Sequence, residues 1–264
     1  MPDYLFDFLD ELKFLRNGRK TAIITDIDGT ISEIAPTPEE ARVDDEMRDV
    51  LRDLSSRYRV LAFISGRPVR EALRMVGVPG AVYVGNHGLE YIINGNYQRF
   101  SEVEEYIPLI KKCALELMDK IEEEKVIFED KGICYSIHYR QCTEPELSRK
   151  RILKNLQEIP ESKGLKVDHG RMLVELKPPL HYNKGFIVRK ILEDSDVSSA
   201  VYLGDDITDA DAFREMRKLE SERGMKNVPI LVLSKEIPPE VKKSARFFVS
   251  GVSEVLRFFR WLLK

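Results

Sequence analysis

Asp26 and Asp28 lie in a short segment, residues 25–30 (TDIDGT), that follows an apolar run in this 264-residue chain. A carboxylate at the end of a buried strand can attack a phosphoryl group and form an aspartyl-phosphate, and Asp26 has that position. Asp28 could protonate the leaving oxygen and later activate water, provided that the backbone turns sharply at Gly29. The alternative is an Asx-rich turn after a strand, because Asp and Gly are frequent in turns.

A second acidic segment, residues 204–209 (GDDITD), supplies further carboxylates. If both segments meet, four negative charges repel one another unless a hard cation lies among them. Carboxylates are typical ligands of Mg²⁺. The sequence therefore predicts a magnesium site formed by Asp26, Asp28, Asp205 and Asp206.

Two other polar side chains could complete a phosphoryl-transfer site. Ser65 follows a second apolar strand and could hold a phosphoryl oxygen at the start of the next helix. Lys184 opens a helix and could neutralise both the nucleophile and the transferred phosphate. Each signal is weak alone, since a lone lysine is usually at the surface. In the second acidic segment, Asp206, Thr208 and Asp209 could cap the next helix and orient the metal ligands. Capping alone is the alternative interpretation, and both can hold together.

The elements that carry these residues alternate along the chain. Apolar runs predict strands at residues 21–25, 59–64, 81–84, 200–203 and 229–233. Helical spacing of apolar residues predicts helices at 5–14, 39–58, 184–192 and 252–264, and others beginning near 68 and 208. Alternating strands and helices indicate a parallel sheet, in which ligands bind beyond the carboxyl ends of the strands. The candidate residues therefore converge at one edge of that sheet.

The alternation is interrupted in the middle of the chain. A long amphipathic helix is predicted at residues 102–124, followed by strands at 126–129 and 133–139, a helix at 145–159, and strands at 166–168 and 172–176. This pattern is typical of a separate α+β unit. We therefore expect a discontinuous core, residues 1–103 and 180–264, with an inserted domain at residues 104–179.

Composition excludes several classes of function. The net charge is −3 with both signs mixed along the chain, so nucleic-acid binding is not expected. Neither a membrane-length apolar stretch nor a secretory signal is present in the sequence, which favours a cytoplasmic protein with no membrane partner. The cysteines, at positions 113, 134 and 142, suggest incidental thiols.

Four motifs in this order, DxDGT at Asp26, then Ser65, Lys184 and the GDD segment at 204–206, resemble the haloacid-dehalogenase-like superfamily. Five further segments look like those of trehalose-6-phosphate phosphatases. They are residues 86–90 (NHGLE), 129–132 (EDKG), 138–140 (HYR), 174–178 (VELKP) and 204–213 (GDDITDADAF).

This resemblance implies an α/β fold, with a Rossmann-like parallel-sheet core and a mobile α+β cap inserted after the third strand. It implies Mg²⁺-dependent hydrolysis of a sugar phosphate, trehalose 6-phosphate, and suggests a trehalose-6-phosphate synthase as a partner. It also implies a set of residues that bind the sugar. In the cap these are Glu129, Lys131, Arg140 and Glu175, with Asn86 and His87 on the core side of the cleft.

Other functions remain open on the sequence. A phosphatase of another sugar phosphate or of a glycosyl-glycerate phosphate, or a phosphomutase, could share the same core site. Dehalogenation is less favoured, because it has no leaving oxygen for Asp28 to protonate. From a different class, the chain could be an inactive sugar-phosphate sensor or the regulatory partner of a synthase.

Overall fold

The computed structural model describes residues 2–122, 125–170, 172–234 and 239–264. The chain folds as two compact units. The large unit contains residues 1–98 and 182–264, and the small unit contains residues 99–181. These limits lie a few residues outside the predicted ones, 104 and 179.

Each unit is built around one sheet. The strands, numbered along the chain, are β1 Asp3–Tyr4, β2 Thr21–Thr25, β3 Val60–Ile64, β4 Val82–Gly85, β5 Glu90–Ile93, β6 Asn96–Arg99, β7 Ile127–Asp130, β8 Tyr135–His138, β9 Lys166–Gly170, β10 Leu173–Lys177, β11 Ser199–Gly204, β12 Lys226–Val232 and β13 Phe247–Val249. The α-helices are α1 Asp45–Arg57, α2 Val69–Val76, α3 Ile107–Lys120, α4 Pro145–Glu158, α5 Lys184–Glu193, α6 Asp209–Arg223, α7 Pro239–Ser244 and α8 Val252–Leu263.

The large sheet has the strand order β1-β13-β12-β11-β2-β3-β4-β5-β6. From β1 to β4 every neighbouring pair is parallel, and β5 runs antiparallel to β4. This arrangement confirms the predicted α/β class. Parallel pairing also brings the carboxyl ends of β11, β2 and β3 to the same edge of the sheet, which is where the candidate side chains follow.

Alternate residues of the central strands enter two different hydrophobic clusters. Ile23 and Phe63 belong to the cluster that includes α1 and α8, whereas Ile24 and Tyr202 belong to the cluster that includes α5 and α6. A strand that buries both of its faces reads as an uninterrupted apolar run. This is why residues 21–25 and 200–203 are recognisable as strands from their sequence.

The small unit has a four-stranded antiparallel sheet of order β7-β8-β10-β9. Residues of its strands form a third hydrophobic cluster with α3 and α4, which includes Ile137, Val174, Leu117 and Ile152. These strand residues alternate with charged ones, so this sheet has one apolar face and one polar face.

Several predictions of local structure are wrong. Residues 5–14 do not form one helix, because the N-terminal segment contains β1 and short 3₁₀ helices, including Leu5–Asp7 and Lys13–Arg16. The helix predicted at 102–124 begins only at Ile107, where Pro108 is placed within its first turn, and residues 123–124 lie outside the described part of the chain.

The hairpin of β5 and β6 was not predicted, although its turn residues signal it. Asn94 and Gly95 have φ values of 52° and 77°. Two consecutive residues with positive φ are typical of a type I′ turn, for which Asn-Gly is the favoured sequence. The short strands β1 and β13 were also missed, because they contain too few residues to show a period.

Within the described ranges, we find no helix with the length and apolar character needed to cross a membrane. The three cysteines are free thiols, of which Cys113 and Cys134 are buried.

Substitution of Phe63 tests the hydrophobic core of the large unit. Its side chain is fully buried, and its ring lies 5.2 Å from that of Tyr83. We expect Phe63→Ala to lower the free energy of unfolding by about 3–5 kcal/mol, because the lost burial and the cavity add. Leu73→Ala on α2 removes a side chain that is 36% exposed and should cost about 1 kcal/mol or less. Urea unfolding measures both, and equal losses would contradict this description of the core.

Candidate active site

A buried ammonium group joins the two acidic segments. Lys184 Nζ lies 2.9 Å from Asp26 Oδ1 and 2.7 Å from Asp209 Oδ1. The lysine is 2% exposed, Asp26 5% and Asp209 0%. Three charged groups are therefore held together away from solvent, which is unfavourable unless each is paired and hydrogen-bonded.

Neighbouring elements place these groups. Asp26 follows β2, and its backbone N–H continues the ladder by donating to Leu203 O of β11 at 2.8 Å. Asn183 caps α5 by accepting a hydrogen bond from Phe186 N at 2.9 Å, which fixes Lys184 as the first residue of that helix. The sequence prediction that Lys184 meets Asp26 depends on these two local structures.

The charges of this group do not balance. Burial raises the pKa of Asp26 well above its usual range; Lys184 opposes this effect, while Asp209 and Asp205 add to it. Burial alone would lower the pKa of Lys184, but Asp209 and Asp26 hold it above its usual value. One ammonium among three carboxylates leaves an excess of negative charge, which a cation would offset.

Asp209 holds the loop that carries the second acidic segment. Its Oδ2 accepts hydrogen bonds from the backbone N–H groups of Asp205 at 3.0 Å and Asp206 at 2.9 Å. Its Oδ1 also accepts one from the Tyr202 hydroxyl at 2.6 Å. Asp206 in turn accepts one from Ile207 N at 2.6 Å. The expected orienting role therefore belongs mainly to Asp209.

Two glycines allow these segments to approach each other. Gly29 has a φ of 83°, and a Cβ there would lie 2.3 Å from Asp205 Oδ2. A Cβ at Gly204 would lie 2.3 Å from Asp209 Cγ. Any side chain at either position would displace an acidic group, which explains the glycine in both segments.

The donor set fits a hard divalent cation. One carboxylate oxygen each from Asp26, Asp205 and Asp209 lie within 4.8 Å of one another, and all three residues are buried. Oxygen ligands at such spacing suit Mg²⁺, which keeps several waters and takes few carboxylates. The structure thus groups Asp209 with two of the four predicted ligands. Asp28 and Asp206 are not in this group among the described residues.

Asp28 is paired with a different cation. Arg67 donates to it from Nε at 2.7 Å and from Nη2 at 2.8 Å, so that the guanidinium contacts both carboxylate oxygens. This planar two-point geometry fixes the direction of the carboxylate as well as its position. Asp28 is 34% exposed, unlike Asp26, so it is accessible to a ligand.

The loops after β3 and β4 are bonded to each other. Ser65 accepts a hydrogen bond from Arg67 N at 3.1 Å, and the backbone N–H of His87 donates to Ser65 O at 3.0 Å. Asn86 and His87 have φ values of 48° and 58°, an uncommon conformation for residues other than glycine. Buried Glu90 accepts from Asn86 Nδ2 at 2.8 Å, which supports this strained backbone.

In the small unit, three of the predicted sugar-binding residues form one ionic group. Lys131 Nζ lies 3.1 Å from Glu175 Oε1 and 4.0 Å from Glu129 Oε2. The fourth, Arg140, is exposed and lies beyond the end of β8. The first three are on the polar face of the sheet.

Sequence reasoning missed several residues of these sites. Asp209 was expected to cap a helix and orient the metal ligands, and only its buried position beside Lys184 shows that it belongs to the charged group itself. Arg67 belongs to a Ser-Gly-Arg segment too common to be informative. Glu90 lies in the segment 86–90 that carries the resemblance, but no role was assigned to it. Tyr202 carried no local signal, because a tyrosine in a buried strand is usually packed.

Comparison with known proteins gives consistent results. The model of a family described as trehalose-phosphatase matches residues 24–253. A probable trehalose-phosphate phosphatase G of Arabidopsis thaliana is 31% identical over 94% of this chain and 70% of the relative.

Two solved structures show the same fold at low identity. The C-terminal domain of a trehalose-6-phosphate phosphatase from C. albicans has a TM-score of 0.79 and 21% identity, covering 100% of this chain and 98% of its own. The C-terminal domain of the Candida albicans trehalose synthase regulatory protein has a TM-score of 0.67 and 16% identity, covering 98% of both chains. The fold alone therefore does not separate a catalyst from a regulatory protein.

Removing the buried ammonium group tests the ionic group of the large unit. We expect Lys184→Met to lower the free energy of unfolding by about 3–5 kcal/mol, because it leaves buried carboxylates without their partner. Lys190→Met is the matched control, since this lysine lies on the same helix in an exposed pair with Asp194, and its loss should be about 1 kcal/mol or less. Urea unfolding compares the two variants, and a similar small loss in both would show that Lys184 does not hold the site together.

Proposed function

Since the chain belongs to the trehalose-phosphatase family, we propose that it hydrolyses trehalose 6-phosphate to trehalose and phosphate through an aspartyl-phosphate on Asp26. The observation that carries this proposal is the buried contact of Lys184 with Asp26 at the carboxyl end of β2. It supplies a nucleophile and a positive charge for the phosphate at one point.

In the first step, a carboxylate oxygen of Asp26 attacks phosphorus, and the bond from phosphorus to the sugar oxygen breaks. Lys184 holds the other oxygen of Asp26 and stabilises negative charge on the phosphoryl group. Ser65, directly after the neighbouring strand β3, donates a hydrogen bond from its hydroxyl group to a phosphoryl oxygen.

Asp28 transfers the protons. It gives a proton to the leaving sugar oxygen, and later takes one from the water that attacks the phosphorus of the aspartyl-phosphate, so that phosphate leaves and Asp26 is restored. The two hydrogen bonds from Arg67 keep Asp28 oriented between these steps.

Mg²⁺ is the proposed cofactor. When bound by the carboxylates of Asp26 and Asp205, it would offset the excess charge of the group and withdraw electron density from the phosphoryl oxygens. Asp209 would adjoin the cation as a neighbouring negative charge, because its oxygens already accept four hydrogen bonds. Asp28 and Asp206 are also predicted to bind Mg²⁺, through a water molecule or through a backbone oxygen.

The small unit is proposed to be the cap that selects the sugar. Glu129, Lys131, Arg140 and Glu175 supply charged groups that hydrogen-bond to hydroxyls, and we propose Asn86 and His87 as the contacts from the large unit. We also predict that the protein associates with a trehalose-6-phosphate synthase and is located in the cytoplasm.

The alternative of an inactive sensor has support in the fold shared with the regulatory domain from Candida albicans. The intact group of Asp26, Asp28, Lys184 and Asp205 favours catalysis. A sensor would bind a sugar phosphate without Mg²⁺-dependent release of phosphate.

Phosphate release from a panel of sugar phosphates measures the specificity. We expect turnover of trehalose 6-phosphate to exceed that of glucose 6-phosphate and mannosyl-phosphoglycerate, because a hydroxyl-binding cap should favour a disaccharide. We also expect it to stop with a chelator and return when Mg²⁺ is added. Preference for another sugar phosphate would contradict the proposed substrate, and binding without turnover would favour a sensor.

Substitution of the two loop aspartates separates their roles. Asp26→Asn should reduce kcat about 10³-fold or more, because the covalent step is lost. Asp28→Asn should reduce kcat by about 10²–10⁴-fold, because proton transfer is lost. Asp53→Asn, an exposed change on α1, is the control and should leave kcat unchanged. Mass spectrometry of the quenched wild-type enzyme should detect a peptide phosphorylated at Asp26. Near-normal phosphate release by Asp26→Asn would contradict the mechanism.

A further inference from the structure

Four polar residues form a row across the sheet of the small unit. Glu129 of β7 is opposite Ser136 of β8, Ser136 is opposite Glu175 of β10, and Glu175 is opposite Asp168 of β9. Residues in direct register point to the same side of a sheet. The polar row therefore crosses all four strands, and only Glu129 and Glu175 were expected to bind sugar.

Two lysines link the carboxylates of this row. Lys131 Nζ lies 4.0 Å from Glu129 Oε2 and 3.1 Å from Glu175 Oε1. Lys177 Nζ lies 2.7 Å from Glu175 Oε2 and 3.4 Å from Asp168 Oδ2. Negative and positive groups thus alternate along the row, and each outer carboxylate has a lysine on its inner side.

Glu175, in the centre, is already occupied by donors. Its Oε1 accepts from Lys131 Nζ and from Ser136 Oγ, both at 3.1 Å, and its Oε2 lies 2.7 Å from Lys177 Nζ. A carboxylate has about four acceptor sites, so little of its capacity remains for a ligand. Glu175 therefore acts mainly by holding two ammonium groups in place.

These charges lie on the face of the sheet opposite its hydrophobic cluster. The side chains of Lys131, Glu175 and Lys177 are nevertheless only 10%, 5% and 11% exposed. Removing ions from water costs several kcal/mol each, and well-packed apolar residues are often equally or more stabilising. Stability alone therefore does not explain why charged residues occupy this nearly buried face of the sheet. Recognition of a polar ligand would explain it.

We propose that Lys177 and Asp168 are a second hydroxyl-binding pair for the sugar, in addition to Glu129 and Lys131. The Lys177 ammonium group lies 2.7 Å from Glu175 and 3.4 Å from Asp168, and it has three N–H donors, one of which we assign to a sugar hydroxyl. Asp168 is 39% exposed, and its carboxylate accepts a hydrogen bond from the same hydroxyl or from a neighbouring one. A sugar hydroxyl both donates and accepts, which matches a lysine beside a carboxylate.

The two pairs adjoin one central carboxylate, because Lys131 Nζ and Lys177 Nζ lie 3.1 and 2.7 Å from different oxygens of Glu175. Glu129 and Asp168 lie on the outer strands β7 and β9, so the polar row extends across the whole width of the sheet. The assignment rests on the proposed function, since it presumes that the polar face receives a sugar.

The first experiment compares two lysine substitutions. Lys177→Met should reduce kcat/KM for trehalose 6-phosphate by about 10- to 100-fold, as expected for loss of a hydrogen bond from a charged group. Lys166→Met is the matched control, because this lysine also contacts Asp168, at 3.3 Å, but is 55% exposed; it should change kcat/KM less than about 2-fold. Lys177→Gln, which keeps a donor, should recover part of the loss, and thermal melts identify any variant that is not folded.

A purely structural role for Lys177 predicts a different result with modified substrates. Monodeoxy trehalose 6-phosphates each lack one hydroxyl. If Lys177 contacts a hydroxyl, the substrate that lacks this hydroxyl should have a kcat/KM on the wild type reduced by the same factor as Lys177→Met reduces kcat/KM for the full substrate. Lys177→Met should then turn over the full and the deoxy substrate with the same kcat/KM. Equal losses of every deoxy substrate on both enzymes, or equal effects of Lys177→Met and Lys166→Met, would overturn the proposal.

The proposed function can fail separately. If the wild type prefers another sugar phosphate, the substrate assignment is wrong, and the same cycle with that compound and its deoxy forms still decides whether Lys177 contacts a hydroxyl.

Discussion

The ammonium group of Lys184 is the constraint on which the large unit's site depends. Three buried carboxylates, on Asp26, Asp205 and Asp209, share one region, and Lys184 is the cation within hydrogen-bonding distance of two of them. Their closeness requires glycine at two positions and a capped helix start at Asn183. Lys184 neutralises only part of the negative charge, and the remainder makes the site suited to a divalent cation. The crowding of three carboxylates therefore accounts both for the buried lysine and for the proposed cofactor.

The sequence predicts the central part of the fold because burial on both faces leaves an uninterrupted apolar run. β2 has its predicted bounds, and α5 begins at the predicted Lys184. The N-terminal segment was mispredicted, because its apolar residues are spaced like a helix but belong to short 3₁₀ turns and a two-residue strand. Tertiary contacts decide such segments, and a single sequence does not display them.

The residues of the candidate site that directly follow parallel strands could be predicted from the sequence. Asp26, Ser65 and Asp205 could be selected because parallel strands end at one edge. Their partners could not, because Asp209 and Arg67 act through contacts between distant segments, and the spacing along the chain carries no record of them. In the small unit, the same limit applies to Lys177, which looks like a solvated strand residue until the pairing of β10 with β9 places it beside Asp168.

The two ends of the nine-stranded sheet have a consequence for the behaviour of the protein at high concentration. An unpaired edge strand offers backbone groups to which another chain can add, which promotes aggregation. One end here is β1, only two residues long, and it covers β13, whose residues Phe247–Val249 are apolar. The other end is β6, an exposed strand with the sequence NYQR. The short N-terminal strand that sequence patterns failed to show thus covers the apolar edge of β13, so that the longer of the two edge strands is the polar β6.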